Sequence, residues 1–322
     1  VYAVGFYNQE NLFDTCHDEG KKDYEYLPNK GWNGMKYTNK LRNMSKALAD
    51  MGTDVLPNVG CAFIGLSEVE NHKVLDALVD QAPLKARNMK YVHIEGPDRR
   101  GIDCALLYNP SLFSVKNVKL LPYVQELAKD SAFFTRGFLT VRGEMAGDDV
   151  AVIVCHWPSR FSGPFYRESA ARQVKVIKDS LLNVNQEMKI FVMGDMNDDP
   201  VNKSMHVYLQ AKPEISQVGA GDMYNPWYNV LSKEGKGTLF YSGNWNLFDQ
   251  IVITPNLLNK DAKKKDYSSL KYWKSHIFRR DYLIQQEGQY KGAPLRTTAG
   301  GRWLNGYSDH LPVVMYLVKE KK

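Results

Sequence analysis

Six short apolar runs in this 322-residue sequence end in carboxylates, amides or histidines. Tyr7 leads into Asn8 and Glu10, and Ser67 leads into Glu68, Glu70 and Asn71. His156 closes 150–155, and Gly194 opens onto Asp195, Asn197 and Asp198. Asp249 follows Phe248, and Asp309 and His310 precede the last apolar run. Charges this near core strands must pair or hold a metal, because burying them unpaired costs several kcal/mol. Six such ends in one chain predict a single convergent pocket. Hard oxygen donors of this kind suit magnesium, manganese or calcium rather than zinc.

Each group has a plainer alternative. Glu70 and Asn71 fit the opening of the next helix, where a carboxylate satisfies backbone donors. Glu68 sits nearer the strand and is the better ligand. Asp195 and Asn197 fall on the same side of an extended segment, whereas Asp198-Asp199-Pro200 reads as a turn. Gly194 allows an unusual backbone turn or a close approach. His156 is either structural or, with Arg160 nearby, an anion contact. Asp249 and His310 form either a proton-handling pair, with the carboxylate fixing the tautomer, or a capped turn before the last strand.

The elements that position these residues follow from periodicity. Residues 3–7, 62–67, 104–108, 137–141, 150–155, 190–193, 250–253 and 312–318 read as strands. Residues 38–51 read as a helix capped by Thr38, and 74–79 as one following Asn71. Residues 167–182 form an amphipathic helix with Ala170, Ala171, Val174, Ile177 and Leu181 on one face. Strands outnumber helices and several succeed each other through turns alone, which predicts mixed or antiparallel sheets. Residues 256–306 are polar, aromatic and basic, and read as a long surface excursion between two strands. The run 263–265 reads as a solvated face.

Composition narrows the class. Hydrophobic residues make up 43% and charged residues 24% of the sequence, which excludes fibrous and wholly disordered chains. No apolar run approaches membrane-spanning length. Basic residues exceed acidic ones by 42 to 36, too mild a surplus to identify an anionic partner. The four cysteines form no CxxC pair, which speaks against structural zinc, and Cys104 and Cys155 read as small buried hydrophobes. There is no repeat or linker, so one domain over 1–322 is expected. The sequence begins at Val1, so a leader would already be gone, and its absence says nothing of compartment.

Taken in order, the segments YNQENLFD, GLSEVEN, RRGIDCALLYNP, VCHWPSR, VMGDMND, WNLFDQIVIT and GYSDHLPVV span residues 2–318. The series resembles the endonuclease/exonuclease/phosphatase superfamily, the DNase I-like proteins, and looks like its bacterial secreted branch. The resemblance implies an α/β (α+β) fold, a four-layer αββα sandwich of two mixed β-sheets. It implies that Glu68, Glu10 and Asp309 serve a metal, with Glu10 standing where some members carry Asp. It implies catalytic roles for Asn8, His156, Asp195, Asn197, Asp249 and His310. Arg136 and Arg160 are offered as phosphate contacts, with surface salt bridges an equal alternative.

The implied activity is divalent-metal-dependent phosphoesterase chemistry with Mg2+, or Mn2+ or Ca2+, as cofactor. A nuclease or nucleotide phosphodiesterase stands slightly ahead. Basic residues in 260–274 with Tyr267, Tyr272 and Trp273 are suited to tracking and stacking a nucleic acid. Inositol-phosphate or lipid-head-group hydrolysis is the alternative, and a catalytically idle phosphate-ligand binder is the reading from another class. Exposed aromatics across 267–307 would favour a membrane-surface contact. A monomer in an extracytoplasmic setting is expected from the resemblance alone.

Overall fold

Strand β1 (Tyr2–Leu12) shows how the chain makes layers. Val4 and Phe6 enter one apolar cluster while Ala3 and Tyr7 enter another, because successive strand side chains point to opposite faces. The computed structural model describes residues 1–126, 133–261 and 263–321. The other strands, in chain order, are β2 (Phe63–Val69), β3 (Lys90–His93), β4 (Asp103–Tyr108), β5 (Phe113–Leu121), β6 (Phe138–Met145), β7 (Asp148–His156), β8 (Lys189–Asp195), β9 (Ala211–Lys212), β10 (Met223–Tyr224), β11 (Leu239–Tyr241), β12 (Asn244–Asn246), β13 (Asp249–Ile253), β14 (Lys271–Ile277), β15 (Thr298–Ala299), β16 (Arg302–Trp303) and β17 (Val313–Val318).

One sheet runs β14-β17-β1-β2-β4-β3 and the other β5-β6-β7-β8-β13-β10-β9. Both are mixed: β1 lies parallel to β2 and antiparallel to β17, and β7 lies parallel to β8, which is antiparallel to β13. Their inner faces meet in one core, where Phe6, Phe63 and Met315 pack with Val152, Phe191 and Ile251. Helices α1 (Gly34–Asp50) and α2 (His72–Val79) cover the outside of the first sheet through Met44, Leu48, Val74 and Leu78. Helix α3 (Ala82–Ala86) adds Leu84 there. Helix α4 (Pro164–Val184) covers the second sheet through Ala170, Ala171 and Val174. A short α5 (Trp227–Ser232) follows β10. This is the αββα sandwich of the DNase I-like fold.

Three local expectations are revised. Helix α1 starts four residues before Thr38, because the Asn33 side chain accepts from the Lys36 N–H and supplies the cap. Asn71 does cap α2, accepting from Lys73 and Val74. The excursion at 256–306 is not all loop: β14 joins the first sheet beside β17, and β15 and β16 form a small hairpin. Of its aromatics, Phe278 is buried, and Tyr282 and Tyr307 pack on each other, while Trp273 and Tyr290 remain exposed. Cys61, Cys104 and Cys155 are buried free thiols, and Cys16 is exposed and free. No helix among the described residues is long and apolar enough to cross a membrane.

Candidate active site

Pleat parity brings the strand-end residues together. On β7 the inward side chains are Val150, Val152 and Val154, so His156 also faces inward. On β8 they are Phe191 and Met193, so Asp195 does; on β13 they are Ile251 and Ile253, so Asp249 does. Asn8 extends the inner row of Val4 and Phe6. Register completes the alignment, placing His156 and Asp249 on either side of Asp195. Gly194 acts by close approach: a Cβ there would lie 2.2 Å from the Cys155 carbonyl oxygen.

Four non-glycine residues at this rim hold left-handed backbone: Glu10, Asn11, Glu68 and Asn197, with φ between 44° and 60°. Each such residue costs on the order of 1–3 kcal/mol. Pairing of β2 slips at Glu68 against both β1 and β4. Simple alternation would send Glu68 outward with Leu66; the bulge re-aims it inward. Its Oε2 accepts from the Asn11 N–H at 3.0 Å, and its Oε1 lies 3.8 Å from His156 Nε2.

Asp195 is the hub. Asn8 Nδ2 donates to its Oδ2 at 3.0 Å and the Asn197 N–H to its Oδ1 at 2.9 Å. His156 Nε2 and His310 Nε2 stand 3.6 and 3.9 Å from Oδ2. Burial pushes Asp195 up to about 7; His310 pulls it down and Asp249 pushes it up. His310 Nδ1 lies 2.7 Å from Asp249 Oδ2, which also accepts from the Thr238 hydroxyl. Burial alone would lower the His310 pKa, but Asp249 and Asp195 outweigh it and hold the ring well above its ordinary value. His156 goes the other way: burial, with Arg136 and Arg100, drives it well below, and its Nδ1 has no hydrogen-bond partner among the described residues. The surroundings thus favour the charged form of His310 and the neutral form of His156.

Asp309 and Glu10 meet the site from its other side through Arg296. The Arg296 guanidinium donates to Glu10 Oε1 at 3.1 Å and to Asp309 Oδ2 at 3.3 Å, and the Thr297 N–H binds Glu10 Oε2 at 2.6 Å. Burial and Asp309 raise Glu10 to about 7, against Lys40 and Arg296. Both Glu10 oxygens are therefore engaged by protein donors, whereas Asp309 Oδ1 lies 3.9 Å from His310 Nε2. Arg136 is buried in scaffold contacts, donating to Asp98 and the Trp157 carbonyl. Asn197 Nδ2 donates to that same carbonyl at 2.9 Å. Arg160 pairs with Asp199, holds the Asn197 carbonyl at 3.2 Å and lies over the Phe248 ring. Both arginines thus brace the Asn197 turn.

Among the described residues, two groups of side chains have atoms close enough to share an ion: Glu68 with His156 and Asp195, and Asp195 with Asp249 and His310. The first offers carboxylate oxygens beside a neutral imidazole, a donor set that fits a divalent cation. The second contains His310, whose ring Asp249 and Asp195 hold toward its charged form, which disfavours a cation there. Thr238, Arg296, Thr297 and Lys40 were not singled out from sequence. Arg296 and Thr297 lie in the basic excursion at 256–306, which marked the region but not the residues.

The chain matches the Endonuclease/Exonuclease/phosphatase family over residues 3–319 and belongs to it. Members of that family are generally hydrolytic phosphoesterases that use divalent metals. No curated protein matches in sequence. Among solved structures, the chain is similar to the Bacteroides thetaiotaomicron mannosyl-6-phosphatase Bt3783, with 14% identity, TM-score 0.58 and coverage of 99% of this chain and 100% of that one. It is also similar to an endonuclease/exonuclease/phosphatase family protein from the same organism, at 14% identity, TM-score 0.57 and coverage of 99% and 98%. A humanized D. rerio TDP2 gives 12% identity, TM-score 0.56 and 98% coverage of each chain. At these identities the likeness concerns the fold.

Proposed function

We propose that this chain is a divalent-metal-dependent phosphoesterase acting on phosphodiester bonds, as a nuclease or nucleotide phosphodiesterase. The observation that carries the reading is the His310–Asp249 pair set against Asp195, itself held by Asn8 across the two sheets. Ester hydrolysis needs a base for water, donors for the phosphoryl oxygens and charge neutralisation. Asp249 and Asp195 favour the charged form of His310, which suits its Nε2–H to donating to a phosphoryl oxygen. Asp195, raised to about 7, is matched to accept or orient a water proton near neutral pH. Asn8 and Asn197 each keep an amide N–H for the phosphate, and neutral His156 supplies a further contact. Glu68, with Asp309, would hold the cation, which when bound acts as a Lewis acid on the phosphoryl oxygens, and Glu10 would serve it indirectly through Arg296 and Thr297.

The test is hydrolysis of bis(p-nitrophenyl) phosphate and p-nitrophenyl phosphate, together with nicking of supercoiled plasmid, in magnesium and in EDTA. Metal-dependent diester cleavage and nicking are expected, with Glu68→Ala and His310→Ala each reducing turnover about 100- to 10,000-fold while staying folded. Near-normal rates in both variants would sink the site assignment. Monoester turnover without diester turnover would move the chain to the phosphatase side of its family.

A further inference from the structure

Beside Asp309 the site opens into a cleft of about 1090 Å³. Hairpin residues Phe240–Gly243 form one wall and the 285–304 segment the other. Among the described residues lining it Asp309 is the one acid, and its carboxylate meets Arg296, which also holds Glu10. Arg302 adds a positive charge with no ion pair or hydrogen bond among the described residues. The lining therefore carries one guanidinium, that of Arg302, without a carboxylate partner among the described residues, next to the reacting centre.

Local structure explains why Arg302 points there. Residues Gly300 and Gly301, with φ of 54° and 75°, make the two-residue turn between β15 and β16. Trp303 packs edge-on against Trp32 at 6.0 Å, with the Lys36 ammonium over its ring. Neighbouring strand residues face opposite ways, so anchoring Trp303 to the body of the protein turns Arg302 into the cleft. Arg296 Nε and Nη2 serve Glu10 and Asp309, and Nη1 has no hydrogen bond among the described residues. Tyr241 and Tyr290 line the same space, as residues 67% and 54% exposed. Bare tyrosine rings beside unpaired guanidinium suit a ligand with both a flat ring and an anion.

We infer that this cleft is a second phosphate subsite, in which Arg302, with Arg296, holds a substrate phosphate other than the scissile one while a tyrosine ring covers the adjoining base or ring. The inference rests on the phosphoesterase reading of the neighbouring site. It selects, among phosphate esters, those carrying a further phosphate on the ring-bearing portion.

The experiment is isothermal titration of thymidine 3′,5′-bisphosphate and thymidine 5′-monophosphate in EDTA, where metal-dependent turnover is off. Wild type should bind the bisphosphate roughly tenfold more tightly than the monophosphate, as one added charge-assisted contact provides. Arg302→Ala should erase the preference and Arg302→Lys retain part of it. Lys264→Ala, which removes an equal charge elsewhere, should leave the preference intact. Equal affinity for the two ligands, no binding of either, or a preference that survives Arg302→Ala or vanishes in Lys264→Ala would overturn the subsite. Diester turnover in magnesium is scored separately: turnover without the preference sinks the subsite alone, and the preference without turnover sinks the phosphoesterase reading alone.

Discussion

The Asn8 amide and the Asp195 carboxylate are 187 residues apart in sequence, and Nδ2 lies 3.0 Å from Oδ2 across the sandwich. Each completes the inner row of its own strand, so the bond joins the two sheets at the centre of the site. Asp195 is wholly buried chemistry with a carboxyl near neutral titration, and Asn8 is a neutral donor that tolerates either state of it.

That relationship predicts a pH-dependent penalty for Asn8→Asp. A second buried carboxyl beside Asp195 makes the two share a proton, raising the pair further. An acid with a raised folded pKa loses stability as pH climbs from its unfolded value to its folded one. Asn8→Asp should therefore be on the order of 2 kcal/mol less stable than Asn8→Ala at pH 9. At pH 4, near the unfolded carboxyl value, the two variants should converge. Denaturant unfolding at both pH values measures this, and an equal gap at both would refute it.

Glu68 should carry most of the metal affinity. A ligand that binds only the folded state adds about 2.7 kcal/mol at 100 times its dissociation constant. Manganese or magnesium titration should raise the wild-type melting temperature by several degrees. Glu68→Ala should abolish that shift. Glu10→Gln should keep most of it, since Arg296 and Thr297 already occupy the Glu10 oxygens. A full shift in Glu68→Ala would move the ion away from β2.

Much of this arrangement was readable before the structure. Apolar alternation located the core strands, and helical spacing placed Ala170, Ala171 and Val174 against the second sheet. Strand-end positions singled out Asn8, His156, Asp195 and Asp249 because pleat parity carries a core face onto its last residue. β14 escaped notice because it is an edge strand: Trp273 and Lys274 are exposed, so it has no apolar run. Glu68 owes its aim to a left-handed backbone that a glutamate does not advertise. Arg296 and Thr238 reach the site from loops and the β11 end, and nothing local in sequence encodes such a reach.

Gly194 is predicted to be irreplaceable for packing rather than for backbone freedom. A methyl group there meets the Cys155 carbonyl oxygen at 2.2 Å, on a neighbouring strand that cannot retreat from a buried core. Gly194→Ala should cost about 3 kcal/mol. It should also cut activity by pushing His156 out of register with Asp195. Gly300→Ala, with φ of 54° but open space around its Cβ, should cost about 1 kcal/mol through backbone strain alone. Thermal unfolding ranks the two, and the reverse order would contradict the packing argument.

Lys40 supplies a test of buried charge. Its ammonium is fully buried, donating to the Thr297 hydroxyl and the Tyr307 carbonyl. Burial lowers its pKa to about 8, although Glu10 and Asp309 pull it back up. A base whose folded pKa lies below its unfolded value binds its proton more weakly when folded, so stability rises with pH between the two. From pH 8 to about 10.5, this one group should add ~3 kcal/mol to wild type. Lys40→Met removes the titrating group, and its Thr297 hydroxyl still donates to the Tyr307 carbonyl at 3.0 Å. The difference in unfolding free energy, variant minus wild type, should therefore fall by that amount across the window, with tyrosine titration common to both proteins cancelling. A difference that stays flat from pH 7 to pH 10.5 would mean that burial does not lower the Lys40 pKa, so that its ammonium stays charged across the window and Glu10 and Asp309 meet more positive charge than the arrangement implies.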